Sequence, residues 1–145
     1  MPKVTAPGFL GKTLECISLW TVILRHETSA FSFRKTWNDY KDGFGTKLSD
    51  YYLGNFLLYI MTKSRSYILR VDFYATNGRF YSCEFSSFSI ADETKKFKLT
   101  VGQYEGGSCG PAGLVNEASG EHFSTFDNDN SGNNCTGDIF DIFYA

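Results

Sequence analysis

Four oxygen-bearing residues, Asp127, Asp129, Ser131 and Asn133, fall at every second position of the stretch DNDNSGNNC at residues 127–135. That spacing lets a short loop wrap a hard cation with alternate side chains and carbonyls. Ca²⁺ takes many oxygen ligands in flexible geometry, whereas Mg²⁺ wants fewer and tighter ones. Two carboxylates followed by turn-forming residues therefore suit Ca²⁺ better. The expected chemistry is cation binding at Asp127, Asp129, Ser131 and Asn133.

Other chemistries find less support. The two histidines, His26 and His122, lie on no recognisable catalytic motif, and an enzyme would need a nucleophile and a base within reach of each other. Asp92-Glu93 and the pair Asp39 with Asp42 sit at turn and helix-end positions, where charge is ordinarily solvated. The chain reads as a non-enzyme. Asn134-Cys135-Thr136 matches a glycosylation sequon, but a glycan inside the loop would obstruct it.

The elements that must hold this loop follow from hydrophobic periodicity. Residues 20–25 (WTVILR) are apolar and β-branched, which predicts a buried strand. Residues 33–42 place Phe33, Trp37 and Tyr40 at helical spacing with charge between them, and Gly43 and Gly45 then end the helix. A second, buried helix is expected from Gly54-Asn55 to Met61. From Tyr67 the period becomes two, with Leu69, Val71 and Phe73 alternating with Arg70 and Asp72. Asn77-Gly78 predicts a tight turn that folds residues 67–74 back on residues 80–88. Phe97, Leu99 and Val101 give a third strand after the Asp92-Glu93 turn, and a meander joins the three. Beyond Val101 the glycines crowd, and little regular structure is expected before the acidic loop.

Composition sets the outer bounds. A chain of 145 residues with 42% hydrophobic content supports one domain with a packed core, and 14 Phe, nine Tyr and two Trp favour a sheet over a bundle. The net charge of −2 carries no footprint for nucleic acid. No stretch has the apolar length of a membrane span, and residues 1–10 (MPKVTAPGFL) lack the apolar core of a signal peptide. Cys16, Cys83, Cys109 and Cys135 form no CxxC pair, so their pairing is open.

Two further readings of the acidic loop compete with the first. Residues 127–138 place oxygens at the first, third and fifth places of an EF-hand loop, with Gly132 sixth and Asp138 last. Against this, Gly110, Pro111, Gly113 and Gly120 disfavour the preceding helix, no second loop exists to pair with it, and Asp138 replaces the usual Glu. A solvated Asn/Asp/Ser/Gly turn that binds nothing is the plainer alternative.

Taken together, the motifs resemble the C-terminal globular domain of fibrinogen and its relatives, the fibrinogen-related domains of ficolins, tachylectins, tenascins and angiopoietins. Residues 20–25 (WTVILR) resemble the family's WTVIQR, residues 37–45 (WNDYKDGFG) its WxxYKxGFG, and residues 52–55 (YLGN) with Met61 and Thr62 its WLGN followed by LT. LRVD at 69–72, FSIADE at 88–93, FKLTVG at 97–102 and FST at 123–125 are similar to LRID, FSVGDE, YxLTVG and FST, in the same order. The resemblance runs from about Cys16 to Cys135. It implies an α+β fold: a central antiparallel sheet, short flanking helices and a loop-rich C-terminal calcium-binding region, in a domain over residues 16–145 with residues 1–15 given no fold.

The resemblance also implies roles. Positions eight and six before the calcium-loop cysteine supply carboxylates in that family, and positions four and two supply backbone carbonyls. These correspond to Asp127, Asp129, Ser131 and Asn133 before Cys135. It implies a secreted, calcium-dependent, non-catalytic recognition module that is lectin-like toward carbohydrate or acetylated ligands, with a glycan or glycoprotein partner, a role in innate immunity, and oligomerisation left open. Several departures accompany it. Leu24 stands for Gln and Tyr52 for Trp, and Cys83 and Cys109 occupy positions without a fixed family cysteine. The usual partners of Cys16 and Cys135, and the WW stretch beyond the loop, are absent, so a domain cut at both ends and lacking its ligand pocket is the alternative expectation.

Overall fold

The computed structural model describes residues 3–6, 20–28, 30–110 and 118–131. Its spine is the hairpin of β6 (Tyr67–Tyr74) and β7 (Phe80–Ile90), which pairs from Tyr67↔Phe88 to Tyr74↔Phe80. The expected Asn77-Gly78 turn closes it. Gly78 takes φ 78°, its amide donates to the Ala75 carbonyl at 2.8 Å, and Asn77 Oδ1 accepts from the Arg79 amide at 3.0 Å. Arg70 on β6 reaches Asp72 Oδ1 on the same strand at 2.8 Å and Glu84 Oε1 on β7 at 3.4 Å, so this face carries one charge pair along β6 and one across to β7.

Both edges of the hairpin are occupied. On the far side of β7, β8 (Leu99–Val101) pairs with Phe88, Ser89 and Ile90, while β9 (Tyr104–Gly107) pairs with Cys83, Glu84 and Phe85. On the near side, β1 (Lys3–Ala6) runs parallel to β6 and to β2 (Trp20–Val22), giving the order β2-β1-β6-β7-β8. The expected antiparallel meander is therefore β6-β7-β8, and two parallel pairings extend it. Segment 1–15, given no fold from the sequence, supplies one of those strands.

The run 20–25 is two strands rather than one. It breaks at Ile23, and β3 (Leu24–Arg25) passes into a second, antiparallel sheet with β5 (Tyr51–Tyr52) and β4 (Phe44–Gly45). The Leu53 amide donates to the Ile23 carbonyl at 2.8 Å across the break. A continuous apolar run cannot reveal which sheet each half serves, because periodicity reports burial and not strand partners.

Helix α1 (Trp37–Asp42) starts four residues later than the periodicity of Phe33 suggested. Thr36 and Asp39 form a capping box: Thr36 Oγ1 accepts from the Asp39 amide at 3.2 Å and Asp39 Oδ2 accepts from the Thr36 amide at 3.0 Å. Phe33, buried but outside the helix, takes the Tyr40 hydroxyl on its carbonyl at 2.8 Å. Helix α2 (Asn55–Ser64) buries Asn55 and Leu58. Phe56, Leu57 and Ile60 remain about half exposed, so α2 is less buried than its composition implied.

Two motif glycines make the α1–α2 approach close. Gly43 follows α1 at φ 92° and Gly54 precedes α2 at φ 103°; a Cβ on Gly54 would stand 2.8 Å from the Gly43 amide, and one on Gly43 would stand 2.6 Å from the Leu53 carbonyl.

Phe97, expected in a strand, instead takes φ 48° directly after Lys96 at φ 52°, and β8 begins only at Leu99. A left-handed aromatic residue is costly, about 1–3 kcal/mol, and burial of the ring offsets this. Phe97 is 1% exposed and stacks on Trp37 with centroids 5.4 Å apart. Trp37, Tyr40, Tyr52, Phe44 and Phe123 continue this aromatic core, with edge-on contacts such as Tyr40–Tyr52 at 5.1 Å.

Two features lie beyond what composition could indicate. Cys83 on β7 and Cys109 after β9 form a disulfide with Cα atoms 5.8 Å apart, closing a sequence separation of 26 residues. The pairing of Cys16 and Cys135 lies outside the described residues. The carboxylate of Asp50, 2% exposed, accepts from the Glu27 amide (2.7 Å), the Thr28 amide (3.2 Å) and the Thr28 hydroxyl (2.7 Å), and sits 3.1 Å from His26 Nδ1. Burial pushes the Asp50 carboxyl up, but the hydrogen bonds from Thr28 and Glu27 outweigh it and hold the group well below the ordinary carboxylate range.

Two outcomes are expected. Replacing both Cys83 and Cys109 by Ala lowers the unfolding free energy by about 3 kcal/mol, read from urea titration. Asp50→Ala costs about 2 kcal/mol at neutral pH by removing the charged acceptor of the Glu27 amide and of the Thr28 amide and hydroxyl. Because the folded group is depressed, that contribution is complete above the unfolded carboxyl value of about 3.9 and fades as pH falls below it. The gap between wild type and variant should therefore narrow in titrations between pH 4 and pH 2.

Candidate functional site

The acidic loop is approached through residues 118–126, which form turns and extended chain. None of residues 118–126 is helical, so the entering helix of an EF-hand is not formed directly before Asp127. Phe123 roots the segment: it is 1% exposed, lies 5.8 Å from the Trp37 ring and 5.1 Å from Tyr40, and its amide donates to the Lys96 carbonyl at 2.9 Å. Thr125 and Asn128 then exchange both backbone hydrogen bonds at 3.1 Å, turning the chain tightly over Asp127. Asn130 ties the turn back to its root. Its amide donates to Ser124 Oγ at 2.8 Å, and its Nδ2 donates to the Phe123 carbonyl at 2.9 Å and the Asn128 carbonyl at 3.2 Å.

The two carboxylates are held differently. Asp127 Oδ1 accepts from the Thr125 hydroxyl at 2.8 Å and from the Trp37 amide, the first of α1, at 2.9 Å. Asp129 Oδ1 accepts from the Ser131 amide at 2.9 Å and its hydroxyl at 2.6 Å, an Asx-type turn. The Ser131 hydroxyl and amide hold the Asp129 carboxyl below its ordinary value. Both carboxylates are exposed. Asp127, Asp129 and Ser131 are thus brought together on one short loop, while Asn133, Cys135, Gly132 and Asp138 lie outside the described residues. Among the described residues no three His, Cys, Asp or Glu side chains converge on a point.

From the sequence Trp37 marks a helix face and the start of a family motif, with no link to the acidic loop, yet it touches the site. Its indole Nε1 donates to Glu93 Oε1 at 3.0 Å, and Lys41 Nζ reaches Glu93 Oε2 at 2.7 Å. Lys41 first, then Trp37, holds the Glu93 carboxyl below its ordinary value. The Asp92-Glu93 pair is therefore structural, with Asp92 capping a short 3₁₀ turn, Glu93–Lys95. The other candidate acids and histidines do not gather: His26 lies against Asp50, and His122 is exposed beside Phe123.

Comparison with known proteins agrees with this architecture. The model of the fibrinogen beta and gamma chains, C-terminal globular domain, matches residues 16–142. The chain belongs to that family. It is similar to ryncolin-4 of Cerberus rynchops, 36% identical over 111 residues that make up 77% of this chain and 32% of that protein. It is also similar to angiopoietin-4 of Bos taurus, 33% identical over 80% of this chain and 22% of that protein. Among solved structures, the fibrinogen-like globe domain of human ANGPTL2 superposes with a TM-score of 0.72 at 31% identity, covering 81% of this chain and 53% of that one. Lamprey fibrin D-dimer, solved with the peptide Gly-His-Arg-Pro-amide, superposes at 0.66 and 24% identity over 77% of this chain and 39% of that one, and shows the fold alone. The chain spans about a third or less of these curated relatives and about half of the human globe domain.

Asn130→Ala should loosen the turn without touching either carboxylate. The amides of Thr125 and Asn128 are expected to exchange on the order of fivefold faster, the equivalent of about 1 kcal/mol, while protection along β6 and β7 is unchanged.

Proposed function

We propose that this domain is a non-catalytic, extracellular recognition module whose loop at residues 127–135 binds Ca²⁺ through the Asp127 and Asp129 carboxylates and the Ser131 and Asn133 carbonyls, and whose ligands are carbohydrate or acetylated groups. The observation that carries it is the state of Asp127: the side chain is exposed, both its hydrogen bonds fall on Oδ1, and Oδ2 accepts none among the described residues. One oxygen is fixed and the other is left to a cation. Exposed carboxylates on an Asn- and Ser-rich turn are donors of the hard type that Ca²⁺ takes. Bound there, the cation would neutralise the paired charge of Asp127 and Asp129. Secretion accords with a disulfide between Cys83 and Cys109, since such bonds persist in oxidising compartments. Among the described residues no helix is long and apolar enough to cross a membrane.

A second reading, a structural remnant with no ligand of its own, draws on the loop itself: among the described residues no three His, Cys, Asp or Glu side chains converge on a point. Calorimetric Ca²⁺ titration of the wild type beside an Asp127→Ala/Asp129→Ala variant, followed by a glycan array with and without Ca²⁺, separates the two. Saturable binding that the double variant loses, with calcium-dependent glycan capture, is the expected result. Calcium binding without any glycan capture would favour the remnant, and a folded wild type that takes up no Ca²⁺ would remove the metal assignment.

A further inference from the structure

The double hydrogen bond to Asp127 Oδ1 joins the loop to an element far from it in sequence. We propose that Thr125 and the first amide of α1 are positioning groups for the cation site, and that through them the occupancy of the loop is coupled to α1 and the Trp37 side chain. The inference rests on the calcium reading of the loop.

The geometry is specific. Thr125 is 5% exposed and pinned by its exchange with Asn128, so its hydroxyl meets little competition from water. The Trp37 amide is the first of α1, and the amides of a first turn have no partner inside their own helix. The capping box serves the Thr36 and Asp39 amides and leaves Trp37 to Asp127. With Oδ1 held from two directions, at 2.8 and 2.9 Å, rotation of the carboxylate is restrained, and Oδ2 is presented in one orientation before any cation arrives. Groups that hold a ligand oxygen in this way act on metal affinity without touching the metal.

The coupling must also run in reverse. A cation bound by a correctly held Asp127 stabilises the state in which α1 has its first amide satisfied, by linkage. Trp37 is suited to register this, because its indole is tied to Glu93 at 3.0 Å and packed 5.4 Å from Phe97 and 5.8 Å from Phe123. Displacement of its backbone therefore moves a ring with fixed neighbours.

The test uses the full chain and Ca²⁺ alone. Thr125→Val keeps the shape but removes the hydroxyl and should weaken Ca²⁺ binding on the order of tenfold by calorimetry, whereas Thr125→Ser, which restores the hydroxyl, should bind close to wild type. Thr36→Ala, which disturbs the start of α1 and touches no ligand, should also weaken binding. In a Trp20→Phe background, Trp37 emission should change saturably with the midpoint seen in calorimetry. Thermal unfolding without Ca²⁺ checks that each variant is folded. Wild-type affinity in folded Thr125→Val, or calcium heat with no change in Trp37 emission, would overturn the positioning role while leaving the calcium site standing. A folded wild type that gives no heat at all overturns the calcium reading, and the positioning role falls with it.

Discussion

The amide of Trp37 donates to a carboxylate 90 residues later in the chain, and much of the fold is arranged so that this bond is made. On one side, the capping box sets where α1 begins and so which amide is left over. On the other, Phe123 sinks into the aromatic core and fixes the distance from the core to Asp127. Trp37 itself is fastened at both ends, its indole to Glu93 and its ring against Phe97 and Phe123. The acidic loop is therefore an extension of the core rather than an appendage.

This explains the backbone at Lys96 and Phe97. Two successive left-handed residues without glycine are unfavourable, and the alternation of Phe97, Leu99 and Val101 gives no reason for them. In the fold, that turn drops the Phe97 ring against Trp37 and presents the Lys96 carbonyl to the Phe123 amide at 2.9 Å. The conformation persists because the aromatic packing and the hydrogen bond both depend on it. Extended backbone at Phe97 would lose the root of the loop.

Legibility in the sequence follows the range of the interaction. The β6–β7 hairpin, the existence of both helices and β8 depend on neighbours within a few residues, and the alternation from Leu69 and the Asn77-Gly78 turn exposed them directly. The start of α1 was visible in Thr36 and Asp39, a local box that a longer aromatic pattern from Phe33 concealed. What escaped was long-range: the transfer of residues 20–25 between two sheets, the docking of β9, the Cys83–Cys109 bridge and the burial of Asp50 beneath residues 26–28. Asp127, Asp129 and Ser131 stood out by spacing, because alternation of oxygen-bearing residues along a short loop is coded within a few residues. Thr125 and Trp37 did not, because a donor from a neighbouring element leaves no mark beside its acceptor.

The same contrast bears on how such a site varies. Asp127 and Asp129 can be kept by a chain whose α1 is altered, and the alternating acids would still read as a cation loop. Yet the orientation of Asp127 depends on an amide that no side chain can replace, and that amide is available only if Thr36 caps the helix one residue earlier. A substitution at Thr36 therefore alters the hold on Asp127 while leaving both acids of the loop in place. The alternating acids are thus an incomplete description of the loop: the box that starts α1 and the hydroxyl of Thr125 belong to the same constellation, since together they hold Oδ1 of Asp127 and leave Oδ2 without a hydrogen bond among the described residues.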